Sequence, residues 1–298
     1  MIRRRGARAL APAAVDPAAL DRLLAQDPVA SVFVASHVQR VRASGARRPP
    51  VYGVAAPSGE LVGACWAGTN VVPVVLDERG TDLVADALAR GGPRFASFFG
   101  PAEPVLGLWE RLRDSWPAPF DVRPVQPLLV MDRDPDPRLL AGPASSVHWG
   151  SEADLERVLP AAAAMFTEEV GYSPLGSGAH GYRERIRSLL RDGRTAVLTD
   201  HRGDVVFKAD IGSLHGGVCQ IQGVWVAPEH RGKGLAVPCM AATVALARRQ
   251  APTVSLYVND YNAPRWPPTA GWASTVTGIS PPCSCEHGGA DPRDASQR

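Results

Sequence analysis

Apolar positions along the chain change period several times. Leu20, Leu23 and Leu24 recur at helical spacing behind Asp16-Pro17, a cap and first-turn signal, so a helix is expected over Asp16 to Gln39 with a break at Asp27-Pro28. Val51 to Ala56 and Leu61 to Ala67 bracket Pro57-Ser58-Gly59, which predicts strand, turn, strand. Asn70 to Leu76 adds another strand. A helix over Thr81 to Arg90, a short buried strand over Phe95 to Phe99, a helix over Leu106 to Ser115 and a strand over Pro127 to Met131 follow. The run from Asp132 to Ser146 opens with alternating acids and prolines, which break helix and strand alike, and reads as a linker.

A second series begins near Val147-His-Trp149. Ser151 and Asp154 form a capping-box pattern ahead of a helix ending at Val170, and Gly181 to Leu190 is a second helix. Arg194 to Thr199 and Val205 to Ile211 flank a polar turn, as a hairpin does. Val218 to Val226 is a strand, Leu235 to Arg249 a helix, and Val254 to Val258 a further strand. This half therefore reads β-α-α-β-β-β-α-β, and the first half is similar in order.

The most specific stretch is Val224-Trp-Val-Ala-Pro-Glu-His-Arg-Gly-Lys-Gly-Leu-Ala236. It is a strand stopped by Pro228, a glycine turn, and the start of a helix. The first N–H groups of a helix lack intrahelical partners and sit at the positive end of its dipole, so phosphates bind well there. Gly232 and Gly234 carry no Cβ and allow close approach, and Arg231 adds a fixed positive charge. The dinucleotide fingerprint is excluded because its third glycine would fall at Val237, and the P-loop because Lys233 is followed by Gly234.

What remains resembles the coenzyme A loop of the GNAT acetyltransferases, R/Q-x-x-G-x-G/A, filled by Arg231, Gly234 and Ala236. The whole chain to about Pro264 looks like a tandem GNAT protein of the actinobacterial type. The resemblance implies an α/β (α+β) fold with two GNAT-like domains, each a mixed, largely antiparallel sheet flanked by helices. It divides the chain into a degenerate first copy at 1–131, a linker at 132–146, an acetyl-CoA-binding copy at 147–264 and an aberrant tail at 265–298. Only the second copy carries the loop.

That resemblance also implies site residues. Backbone groups of Val224 and Val226 would bond the pantetheine arm, and Arg231, Gly232, Lys233, Gly234, Leu235 and Ala236 would take the pyrophosphate. Asn262 matches an asparagine that bonds the coenzyme arm in the family, although Asn259 and Asn262 read equally as turn residues. Transfer to an amine needs a group to take the ammonium proton. Glu168 and Glu169 end a helix beside Gly171, where the family builds the acceptor side; a solvated helix end is the plainer account. Asp210 is the other candidate, two residues from Lys208. Gln220 and Gln222 share one strand face. Pro238 falls early in the helix and has no functional account.

The implied activity is acetyl-CoA-dependent N-acetyl transfer to an amine of a small molecule or a protein lysine. Two alternatives are a non-catalytic acyl-CoA-binding module and a mycothiol-synthase-like acetyltransferase, that enzyme also being a tandem GNAT protein. Bulk properties narrow the rest. A net charge of +2 gives no nucleic-acid footprint. No uninterrupted apolar stretch follows the basic N-terminus, since Asp16 and Asp21 interrupt it, so no signal peptide is expected, and no apolar run is long enough to span a membrane. Five scattered cysteines argue against a disulfide framework and fit the cytoplasm. No metal is expected, since Cys283, Cys285 and His287 fall short of a four-ligand site.

The tail departs from the family pattern, N-x-x-A-x-x-x-Y-x-x-x-G-F, whose tyrosine is the usual proton donor to the thiolate. After Asn262, Pro267 and Pro268 oppose the expected helix. Restoring one G before the Arg265 codon lets the same bases encode Ala-Val-Ala-Ala-Tyr-Arg-Arg-Val-Gly-Phe, which supplies the pattern at its spacing. Trp266 and Trp272, each with a single codon, both comply. The expectation is a single-base deletion near Pro264, with disorder from about Arg265 onward and an exposed sheet edge at Val254 to Val258.

Overall fold

The computed structural model describes residues 6–45, 48–119, 121–176 and 178–258, together with the backbone of 271–280. The chain divides into two compact units: residues 1–30, 41–126 and 275–298 form the first, and 31–40 with 127–274 the second.

The first unit begins with strand β1 (Arg8–Leu10), helix α1 (Pro17–Leu24) and helix α2 (Pro28–Ala43), whose residues 31–40 belong to the second unit. The Asp16 carboxylate accepts the Ala19 N–H at 2.8 Å, as the cap signal predicts. Strands β2 (Val51–Ala55), β3 (Leu61–Ala67) and β4 (Asn70–Val74), helix α3 (Glu78–Ala89), strand β5 (Ser97–Pro101) and helix α4 (Ala102–Leu112) follow. β1, β2, β3 and β4 pair antiparallel in that order, and β4 pairs β5 in parallel. Val84, Leu88, Val105, Leu108 and Leu112 from the two helices pack with Cys65, Val71 and Phe98 of the sheet. β1 is an unforeseen strand: its three residues lie behind a basic N-terminus without a clear period.

The second unit takes residues 127–131 of strand β6 (Asp121–Met131), then β7 (His148–Trp149), helices α5 (Leu155–Val170) and α6 (Ala179–Arg191), and strands β8 (Thr195–Thr199), β9 (Val205–His215) and β10 (Val218–Val226). Helix α7 (Ala236–Ala247) and strand β11 (Thr253–Tyr257) complete the order. The sheet runs β6-β11-β10-β9-β8-β7, antiparallel throughout except for the parallel pair β10–β11. One face packs on α7, through Phe207, Ala209, Ile211, Cys219, Ile221, Val254 and Leu256. The other receives α5 and α6, where Val158, Leu159, Ala162, Ile186 and Leu190 meet Val197, Val205 and Trp225. Each unit is thus a mixed, largely antiparallel sheet flanked by helices.

Three expectations change. The sheet edge expected at Val254 to Val258 is covered, because Leu128–Met131 of β6 pair antiparallel with Val254–Tyr257. A boundary after 131 would separate these hydrogen-bonded partners. The acid- and proline-rich run 132–146 holds two short 3-10 turns and packs Leu140 and Ala144 against the α7 core, so apolar burial fixes a segment whose composition reads as a linker. Disorder from Arg265 onward does not describe 271–280: strand β12 (Gly271–Ser280) pairs antiparallel with β5 at Val276–Ile279. Thr275, Val276, Thr277 and Ile279 are β-branched and suit a strand. The rest of the tail lies outside the described residues.

Candidate functional site

β10 and β11 pair only from Val218 with Thr253 to Ile221 with Leu256, yet β10 runs on to Val226. Over Gln222–Val226 its ladder partner among the described residues is β9 alone. Within that span the β9 register shifts between Gln222 and Trp225, and Gly223 sits at φ +59°. A Cβ on Gly223 would lie 3.0 Å from Asp210 Oδ2 and 3.1 Å from Met165 Cε. Left-handed backbone and close approach both demand glycine there. The result is a bulged strand whose second edge is unpaired among the described residues, a form that can receive an extended ligand.

The chain then turns through Pro228–His230 into exposed Arg231–Gly234. Gly232 and Gly234 adopt φ +73° and +75°, and a Cβ on either would meet open space. Conformation, not crowding by this chain, selects glycine at both. α7 begins at Ala236 with no side-chain cap and no acidic residue in its first turn. Among the described residues no side chain takes up its first N–H groups. Pro238 is the third residue of α7, where an N–H has no intrahelical acceptor, so the proline removes no helical hydrogen bond. Val224, Val226 and Leu235 are partly buried against the α7 core. These features fit a phosphate-bearing, extended cosubstrate.

Two residues expected in different roles are partners. Glu168, at the end of α5, accepts from Arg231 Nη2 with both oxygens, at 2.9 and 2.8 Å, and from Trp225 Nε1 at 3.2 Å. Arg231 Nε also donates to the Val226 carbonyl at 2.9 Å. The guanidinium therefore ties α5 to the end of β10, and one carbonyl expected to serve the coenzyme arm already accepts a hydrogen bond. Trp225 was legible only as a strand residue; nothing in the sequence pairs its indole with Glu168.

Asp210 is held more tightly. Lys208 Nζ donates to Asp210 Oδ2 at 2.6 Å and to the Gly223 carbonyl at 3.1 Å, and Thr195 Oγ1 donates to Asp210 Oδ1 at 2.8 Å. Lys208 is 0% exposed and Asp210 4%. A carboxylate so engaged stabilises the bulge and is poorly placed to collect a proton. Glu169 is exposed at the same end of α5. It acts electrostatically on half-buried Tyr182, whose hydroxyl donates to the Ala162 carbonyl at 2.7 Å. Burial, then Asp210, pushes the Tyr182 pKa up to about 12, so this phenol stays protonated. Sequence periodicity had offered Tyr182 only as a helix residue.

Asn259 and Asn262 lie outside the described residues. Among the described residues no cluster of metal-ligating side chains occurs, and no helix is long and apolar enough to cross a membrane. Burial raises the thiol pKa of Cys65, and that of Cys219 and Cys239 to about 11 each, so none of the three is a ready nucleophile.

Comparison with known proteins agrees with this geometry. Residues 164–267 match the model of the acetyltransferase (GNAT) family, and residues 49–158 match a domain of unknown function (DUF4081). A GNAT-family acetyltransferase from Colwellia psychrerythraea is similar in structure at 12% identity, with 93% of this chain and 100% of that chain covered and a TM-score of 0.51. The GCN5-related glucosamine N-acetyltransferase region of a fungal multi-domain GH3 β-N-acetylglucosaminidase is similar at 14% identity and a TM-score of 0.51, covering 88% of this chain and 36% of that one. A tandem GNAT protein of the clavulanic acid pathway aligns at 15% identity, with 96% and 99% covered and a TM-score of 0.46. A search of curated protein sequences finds no match. The second unit therefore carries a GNAT acetyltransferase domain, and the fold is GNAT-like.

Proposed function

We propose that the second unit is an acetyl-CoA-dependent N-acetyltransferase acting on an amine of a small molecule or a protein lysine. The observation that carries this reading is the junction of β10, the left-handed glycine loop and uncapped α7, beside a strand edge that has no partner among the described residues from Gln222 to Val226. Acetyl-CoA supplies an acetyl group activated as a thioester. The N–H groups of Gly232 to Val237 would hold its pyrophosphate, and Val224 would bond the arm as a neighbouring strand does. Lys233 is exposed and adds positive charge. Arg231 acts through Glu168, fixing the angle between α5 and β10.

Of the three candidate bases, Glu168 is clamped by Arg231 and Asp210 is buried in an ion pair with Lys208, while Glu169 is exposed at the same end of α5. The tyrosine that protonates the thiolate in the family has no counterpart in this frame. That, and a family match ending at residue 267, supports a second reading: coenzyme binding without turnover in this chain, caused by a single-base deletion near Pro264. Isothermal titration with acetyl-CoA tests the shared premise, and one-site binding is expected. Absence of heat at millimolar ligand, from folded protein, overturns both readings. Acetylation over an amine panel then separates them. Binding without turnover, with turnover appearing when the reading frame is restored, favours the second.

A further inference from the structure

Three arginines converge on one side of the second unit without a carboxylate ion-pair partner among the described residues. Arg40 stands on α2, one turn after His37; Arg185 is on α6; Arg194 directly precedes β8. Ile211 N donates to the Arg194 carbonyl at 2.7 Å, beside the end of β9 that meets α2 through Ser36 and Gln39, and there Arg194 and Arg185 both act on Arg40, as Arg40 and Arg185 do on His37. Of the acids, Asp192 alone opposes this effect at Arg40, and it also lies 3.7 Å from Arg191 Nε.

The sheet beneath is polar on this face. Ala209, Ile211, Cys219, Ile221, Val254 and Leu256 point to α7, so Asp210, Gln220 and Ser255 between them point the other way. Ser213 is level with Gln220, and Gln220 with Ser255, across three strands. Ser213 and Gln220 are 1% and 4% exposed, and Ser213 Oγ and Gln220 Nε2 have no hydrogen-bond partner among the described residues. Leu214 N donates to Ser36 Oγ at 3.5 Å, and His215 Nδ1 lies 3.0 Å from Gln39 Oε1. The α2 segment carrying His37 and Arg40 therefore lies along the end of β9 that bears Ser213.

Guanidinium groups remain charged at any physiological pH and present forked donors that match carboxylate and phosphate oxygens. Gathering three of them costs free energy that a bound anion would recover. We propose that Arg40, Arg185 and Arg194 form a subsite for an anionic group, a carboxylate or a phosphate ester, on the acceptor. That the anion belongs to an acceptor amine rests on the acetyltransferase reading; the anion site itself does not.

His37 is the built-in reporter. Its Nδ1–H donates to the Phe33 carbonyl at 2.8 Å, which fixes the ring on α2. Burial lowers its pKa below the ordinary 6.5, and Arg40 and Arg185 lower it further. An anion among the arginines cancels part of their field, so the His37 midpoint must rise on binding. By linkage, anion affinity must then strengthen as pH falls through that window.

The test is NMR titration of the His37 ring in the full chain, with inorganic phosphate in one arm and acetate in another. A rise of about one pH unit with either anion is expected, lost in Arg40→Gln and Arg185→Gln. A response to both anions favours a carboxylate-bearing acceptor, and a response to phosphate alone a phosphate ester. No movement with either, at tens of millimolar, overturns the proposal. In acetylation assays Arg185→Gln should raise KM about tenfold for anionic amines, and not for neutral analogues, with acetyl-CoA affinity intact. If acetyl-CoA does not bind at all, the acetyltransferase reading fails, while the titration still decides the anion site.

Discussion

Both units run a strand into a helix at the same place in their order, and they close that helix in opposite ways. In the first unit β4 leads to α3, and in the second β10 leads to α7; a strand parallel to the first follows each helix. At α3, the Asp77 carboxylate accepts the Gly80 N–H at 2.6 Å, and Glu78 adds a second negative charge to the first turn. At α7 no side chain caps the helix, and two left-handed glycines precede it. A helix that neutralises its own start has no use for an outside anion; one that does not keeps its donors for a ligand. The difference also extends into the sheets. Thr81 is the only buried polar side chain among the described residues of the first unit, whereas the second buries Lys208, Asp210, Thr195, Ser213, Gln220 and Ser255 around its open strand. The first unit thus closes its helix start with its own acids, and the second leaves its helix start uncapped above a polar sheet floor.

The largest expected effect breaks the polar floor. Asp210→Ala leaves Lys208, 0% exposed, with no carboxylate partner among the described residues. Removing one partner of a buried pair costs about 3–5 kcal/mol. Hydrogen exchange should show this loss in β8, β9 and β10 and not in the first unit's strands. A change below about 1 kcal/mol would mean that the floor relaxes easily or admits water, and the contrast between the sheets would lose its force.

The next effect imposes the first unit's solution on the second. Gly234→Asp places a carboxylate where the phosphates are expected, in a left-handed conformation that Asp tolerates better than most residues. Acetyl-CoA affinity should fall about 100-fold or more, which is about 2.7 kcal/mol. Gly234→Asn has nearly the same shape without the charge, and should lose less than about tenfold. Equal losses in the two variants would assign the effect to backbone strain. No loss in either would place the phosphates elsewhere.

This junction was legible in the sequence because its signals are local. A proline stops a strand, glycines mark the turn, and helix formers follow within a few residues. The order of elements was legible for the same reason, from period and punctuation. The contacts that give the site its character are not local. Glu168 and Arg231 are 63 positions apart, and Thr195 and Asp210 are 15 apart, so no spacing rule joins them. Lys208 and Asp210 were visible as neighbours on one strand face, but burial decides that they form an ion pair. Gly223 carried a usable signal, since glycine inside a strand pattern suggests a bulge, and it would have located the break in pairing. The placement of 127–131 and 31–40 in the second unit depends on long-range pairing and packing, which composition cannot report.

The smallest effect tests the other half of the comparison. If α3 is closed only by its own acid, Asp77→Ala should cost about 1 kcal/mol, the usual loss for an N-cap. The loss should be confined to α3 and its packing partners, because Thr81 Oγ1 bonds the Asp77 carbonyl, a backbone group that the substitution keeps. Acetyl-CoA affinity should not change, since the variant frees one helix N–H without supplying left-handed glycines or an open strand edge. Glu78 would still repel an anion there. Titration of Asp77→Ala with acetyl-CoA therefore distinguishes two ideas that the wild type leaves together. A second binding event would mean that capping alone silences the first unit. An unchanged single site would mean that an uncapped helix is insufficient and that the bulged, half-paired strand is the decisive element.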